Sequence, residues 1–134
     1  MQYLASPYSI DIKHVREIRY KMVLAHTAFL LREGMLVYSP ILHCHNIAEL
    51  EGLPTDANFW AKHNIEMLHR CEVLRVLKLD GWELSLGVKF EIAEAENLGM
   101  TIFYDEFLKY ERREATGGVT PIKAEDIRFP KKET

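Results

Sequence analysis

A carboxylate stands where a helix needs apolar side chains in Ser85-Leu86-Gly87-Val88-Lys89-Phe90-Glu91-Ile92-Ala93-Glu94-Ala95. At about 100° per residue, Leu84, Gly87, Val88, Ala95 and Leu98 fall within about 60° of Glu91, whereas Lys89 and Glu96 take the opposite face. Glu91 is therefore expected in the middle of the inward stripe, one turn above a glycine that leaves room beside it. Burying an unpaired carboxylate is costly or forces it to hold a proton. Two roles fit such a residue. One is an ion pair with an arginine from a neighbouring helix or subunit; the other is a nucleophile or general base near a helix start, where the dipole favours the charged form.

Other residue types extend the chemistry. Ser85 suits an N-cap, and Gly87 allows close approach to the free N–H groups of a helix start; this fits a phosphate or carboxylate ligand and equally fits capping alone. His43-Cys44-His45, read as extended, puts both imidazoles on one side as chelation needs. A closed metal centre wants three or four ligands, however, and no second His/Cys pair has ligand spacing, so no metal and no cofactor is expected. His45 is instead expected near a substrate. Trp60 and Trp82 can stack on a base or sugar, or serve in the core. Tyr3 and Tyr8 end the first apolar run, and Tyr3 can hydrogen-bond a buried carboxylate. No Gly-rich phosphate loop and no nucleophile elbow occurs.

The elements that must position these groups follow from period and punctuation. Residues 2–5 read as a strand ended by Ser6-Pro7-Tyr8-Ser9. Val15, Ile18, Met22, Ala25 and Phe29 recur at helical spacing until Gly34. Residues 35–38 form a second strand, closed by Ser39-Pro40. Residues 41–56 lack a clear period and contain Gly52 and Pro54, so a long functional loop is expected. Residues 58–70 return to helical spacing, 72–79 form a third strand, and Asp80-Gly81 marks a turn. The Glu91 helix ends at Gly99, and a fourth strand covers 100–104. Asp105 is expected to cap a charged helix to about Ala115, broken by Gly117-Gly118, with an edge strand or a surface tail near 127–129.

Alternating strands and helices predict a three-layer α/β/α fold, flavodoxin/Rossmann-like, with a four- to five-stranded parallel sheet. Ligands then bind beyond the carboxyl ends of the strands, where residues 6–9, 39–46 and 80–91 crowd together. The 134 residues suit one domain, with 116–134 as a tail or edge segment. A net charge of −3 disfavours nucleic-acid binding, and no apolar run is long enough to span a membrane. Two cysteines form no disulfide framework, which suits the cytoplasm.

The run Ser85-Leu86-Gly87-Val88-x-Phe90-Glu91-Ile92 resembles the active-site helix of the nucleoside 2-deoxyribosyltransferase superfamily. It is closest to the branch of 2′-deoxynucleoside 5′-phosphate N-hydrolases, which carry Ser-Leu-Gly-Val-x-Tyr-Glu. Tyr3-Leu4-Ala5-Ser6-Pro7 resembles that superfamily's first strand and loop, and an Asp80-Gly81-Trp82 before the serine resembles bacterial members. The likeness covers roughly residues 1–105. It implies a Glu91 nucleophile that attacks the anomeric carbon, releases the base and forms a glycosyl-enzyme. It further implies that Tyr3 orients Glu91 and that Ser85 contacts a 5′-phosphate. Ser6, Pro7, His45, Asp80, Trp82 and Gly87 would complete a nucleoside or nucleotide site, and the chain would form a dimer or tetramer. One departure is Asn64, where the superfamily has an aspartate that helps the base leave; an amide cannot transfer a proton in that way. A binding module for a nucleotide derivative, without turnover, is the alternative.

Overall fold

In the computed structural model, which describes residues 1–112 and 119–123, short apolar strands alternate with capped helices. Strand β1 (Gln2–Ala5) leads to helix α1 (Lys13–Arg32), strand β2 (Val37–Tyr38), helices α2 (Pro40–Glu51) and α3 (Ala57–His69), and strand β3 (Val73–Leu77). A single turn over Trp82–Leu84 precedes helix α4 (Leu86–Asn97) and strand β4 (Thr101–Asp105). Strands β5 (Leu108–Arg112) and β6 (Val119–Lys123) then pair as an antiparallel ribbon.

The main sheet is four-stranded and parallel in the order β2-β1-β3-β4. Tyr3 pairs with Tyr38 on one side and with Leu74 on the other. Alternation sends Tyr3, Ala5, Leu74 and Val76 to one face, where they pack with Leu68 of α3 and Val88 and Ala95 of α4. Leu4 and Leu77 face the other way, against Val23 and Leu30 of α1 and Phe107. The fold is thus the expected three-layer α/β/α, Rossmann-like architecture. The order of strand addition reverses between β1 and β3, with β2 laid on one side of β1 and β3 and β4 on the other, and the crevice beyond their carboxyl ends is where such sheets bind ligands.

Two expectations are corrected. Residues 40–51 form α2 rather than a long loop. Ser39 Oγ accepts from Leu42 N at 3.3 Å, Pro40 takes the first turn, and Ile41, Cys44, His45 and Ala48 make a buried stripe. That stripe mixes a histidine and a cysteine with aliphatics, so hydropathy hides its period. Asp105 caps no helix. It ends β4 and accepts from His26 Nε2 at 3.1 Å and Arg75 Nη1 at 2.8 Å, tying α1 to β3 while the chain continues into β5. The expected break at Gly117-Gly118 and edge strand at 127–129 lie outside the described residues.

Candidate functional site

A side chain on a helix leans toward the N-terminus, so a residue in the second turn of α4 projects over its first. This brings Glu91 Oε1 within 3.8 Å of the point where a Cβ on Gly87 would stand. Ser85 caps the helix, accepting from Val88 N at 3.3 Å. The inward stripe is narrower than the helical wheel implies: Val88, Glu91 and Ala95 are buried, while Leu84 and Leu98 are exposed.

Glu91 is 8% exposed and forms no ion pair among the described residues, so the arginine-partner reading finds no partner among them. Burial pushes its pKa up to about 8, and the Tyr3 hydroxyl beneath it works in the opposite direction by favouring the charged form. That contact falls short of standard hydrogen-bond geometry, so Tyr3 Oη and Glu91 Oε2 both stand without a full partner, as do Ser6 Oγ and Tyr38 Oη nearby. Such orphans are rare in folded proteins, and four of the six among the described residues belong to this carboxylate and its surroundings. The hydroxyls of Tyr3 and Tyr38 are themselves held protonated: burial, then the Glu91 charge, raises Tyr3 well above its usual range, and burial lifts Tyr38 to about 12.

Glu91 forms part of the wall of a cavity of about 470 Å³, open to solvent, at the crevice beyond β1 and β3. Ser6, Tyr8 and Ser9 enter it from the loop after β1, Pro40, Ile41, Cys44 and Ala48 from α2, Thr55, Asp56, Ala57, Trp60 and Asn64 from α3 and its approach, and Ser85 and Gly87 from α4. Three helix starts therefore converge here. Their caps are Ser39, Asp56 (Oδ1 accepts from Phe59 N at 2.8 Å) and Ser85. No lysine or arginine is among the described lining residues, so what the walls offer an anion is the backbone N–H groups and dipoles of the helix starts. A second, more apolar cleft of about 560 Å³ lies between α3 and α4 and shares Ala57, Asn64, Gly87 and Glu91 with the first.

Of the residues singled out from the sequence, Glu91, Asn64, Ser6, Ser85 and Gly87 line this cavity, and Tyr3 lies directly beneath the carboxylate. Trp60 also lines it, its indole oriented by an Nε1 bond to the Pro54 carbonyl at 2.8 Å. Four residues do not line it. Pro7 is fully buried behind the loop. His45 sits behind the wall, where the Tyr8 hydroxyl reaches its Nδ1 at 2.5 Å and Tyr20 stacks on its ring at 4.2 Å. Burial holds its pKa below the usual histidine range. Asp80 is exposed, accepting from Arg19 Nη2 through its carbonyl at 3.2 Å while its carboxylate charge also acts on that guanidinium. Trp82 packs on the core and on Tyr104 at 5.7 Å. Because α2 is helical, His43 and His45 are about 200° apart rather than side by side, and His43 stacks on His63 at 5.1 Å instead. No cluster of three metal-binding side chains occurs among the described residues.

Asp56 and Thr55 escaped the sequence reading. Asp56 three residues before Phe59 is an N-cap signal, hidden when the helix is started one residue late. Cys44, noted in the sequence only as part of His43-Cys44-His45, enters the cavity through the fold; burial, then Glu91, lifts its pKa to about 12.

Residues 1–106 match the model of a family described as a domain of unknown function (DUF1937), and the chain belongs to that family. No curated protein matches it. The match covers the whole parallel sheet and every residue of the cavity. No helix among the described residues is long and apolar enough to cross a membrane.

Proposed function

We propose that the protein breaks the N-glycosidic bond of a nucleoside or nucleotide-like substrate, with Glu91 as nucleophile. One observation carries the reading: a buried carboxylate with no counter-ion among the described residues, set over a glycine and opening into a cavity where the order of strands reverses. The same helix resembles the active-site helix of the nucleoside 2-deoxyribosyltransferase superfamily. In this mechanism the Glu91 carboxylate bonds to the anomeric carbon as the base departs with the bond electrons. An acceptor, water or a second base, then takes the sugar and frees Glu91. Tyr3 donates toward the carboxylate and steadies it. Ser85 and the open backbone at Gly87 meet the sugar or an anionic group on it, and the Trp60 ring and the Asn64 amide stand beside the base. Asn64 can hydrogen-bond the leaving base but not protonate it. A dimer or tetramer working on free nucleotides in the cytoplasm completes the proposal.

The test is release of free base, by chromatography, from a panel of nucleosides and their 5′-monophosphates, with Glu91→Gln as control. Release that vanishes in the variant supports the mechanism; release that persists at the native rate removes Glu91 from it. Glu91 must be ionised to attack, so turnover is expected to climb with pH toward about 8.

A second reading rests on the same carboxylate. Below about pH 8 Glu91 is mostly protonated and can donate a hydrogen bond to a ligand, while Asn64 supplies no acid. The protein would then be a binding module for a nucleotide derivative, recognised by saturable binding across the panel without base release.

A further inference from the structure

Discharging a glycosyl-enzyme needs a base for the incoming water, and Glu91 cannot serve because it is the group being released. The cavity leaves few alternatives. Asn64 is an amide, and no histidine lines the walls. Burial holds the Tyr8 hydroxyl and the Cys44 thiol protonated, each with a pKa of about 12. The remaining hydroxyls, Ser6, Ser9, Thr55 and Ser85, are no bases at neutral pH. Among the described residues, one carboxylate other than Glu91 lines the cavity, that of Asp56.

The position of Asp56 is set by the fold. Its Oδ1 caps α3 by accepting from Phe59 N at 2.8 Å, which fixes the rotamer, and no donor among the described residues holds Oδ2. The next residue brings this cap close to the nucleophile. Ala57 Cβ is 3.6 Å, and Glu91 Oε1 3.8 Å, from the point a Gly87 Cβ would occupy, so the chain just after Asp56 is within about 8 Å of the carboxylate. Glycosidic hydrolysis through a glycosyl-enzyme sets a second carboxylate about 5–5.5 Å from the nucleophile, a spacing this bound allows.

We infer that Asp56 is the second catalytic carboxylate of this cavity, the general base that activates the water discharging Glu91; the inference rests on the proposed glycosidic function. The water oxygen bonds to the anomeric carbon while the ester bond to Glu91 breaks and its electron pair returns to that carboxylate. The water proton passes to Asp56 Oδ2 and from there to solvent.

Asp56→Asn and Asp56→Ser both keep an N-capping side chain, so α3 and the fold are retained. With the substrate that gives the fastest base release in the wild type, each variant is expected to show a rapid burst of about one base per active site. Steady turnover should then be slower by about 10²–10³-fold, the share general-base catalysis contributes. Azide, which needs no base, should restore turnover and yield a glycosyl azide; loss of a merely structural residue has no such rescue. Steady turnover of both variants within about threefold of wild type, or slow variants that azide does not rescue, would overturn the inference. Mass spectrometry separates the two levels. A glycosyl adduct on the Glu91 peptide with normal Asp56 variants ends this inference alone. Base release that survives Glu91→Gln, or no release by the wild type, ends both.

Discussion

Replacing Glu91 with glutamine should turn a pH-dependent weakness of the fold into a pH-independent one. The carboxyl ionises near pH 8 in the folded protein, because burial strips it of water, and near 4.5 in the unfolded chain. Between those values the folded state keeps a proton that the unfolded state has released. Stability must therefore fall as pH rises through this window and level off above about pH 8. At about 1.4 kcal/mol per pH unit, this group costs about 3 kcal/mol between pH 5 and pH 7, and about 5 kcal/mol over the whole window. That is a large share of the 5–15 kcal/mol that typically holds a domain together. The Glu91→Gln protein keeps the shape and loses the titration. Urea unfolding of both proteins at unit steps from pH 5 to pH 9, followed by circular dichroism, gives the difference in stability at each pH. The variant is expected to gain on the wild type by about 3 kcal/mol from pH 5 to pH 7, with no further gain above pH 8. A difference that stays flat from pH 5 to pH 9 would refute the reasoning, because it would mean that Glu91 is solvated or neutralised in the fold.

Two other substitutions probe the surroundings. Gly87→Ala places a methyl in ordinary contact with Ala57 and Glu91 Oε1, so α4 should hold or gain about 0.5–1 kcal/mol from alanine's helix preference; base release should nevertheless fall at least tenfold as the methyl covers the carboxylate, and undiminished turnover would contradict the position given to the reacting carbon. Burial alone would raise the Asp105 pKa, but the bond from His26 and the charge of Arg75 outweigh it and hold it below the usual carboxylate range. Its contribution is therefore present above the unfolded value near 3.8 and is lost as pH falls through the lower folded value. Asp105→Asn should cost about 2–3 kcal/mol at pH 7 and progressively less in acid, which thermal unfolding at pH 7 and pH 3 can check; an equal cost at both would show that the ion pair is not its source.

Legibility along the chain followed how local the cause was. The strands β1, β3 and β4 and the helices α1, α3 and α4 were readable because each has a clean period and a nearby stop, such as Gly34 or Gly99, both at positive φ. Helix α2 was not, because His45 becomes an inward residue only when Tyr8 and Tyr20 arrive to receive it from 37 and 25 positions away in the chain. Asp105 looked like a cap because Asp often is one. Its real partners, His26 and Arg75, come from α1 and β3 and leave no local mark. Asp80 and Trp82 were expected in the site because they precede Ser85, yet the positive φ of Gly81 turns the chain so that Trp82 packs on the core instead.

The register of Glu91 over Gly87, with Ser85 as its cap, belongs to the sequence alone, since helical geometry over seven residues determines it. So does the alternation that sends Tyr3 to the same side of the sheet as that helix. What only the tertiary structure decided is that Glu91 has no counter-ion among the described residues, that Asp56 and Trp60 share its cavity, and that three helix starts meet there with no described lysine or arginine in its walls. Those features join segments about 30–50 residues apart. Their proximity is set by strand order in the sheet, a property of the closed core that no stretch of chain carries by itself.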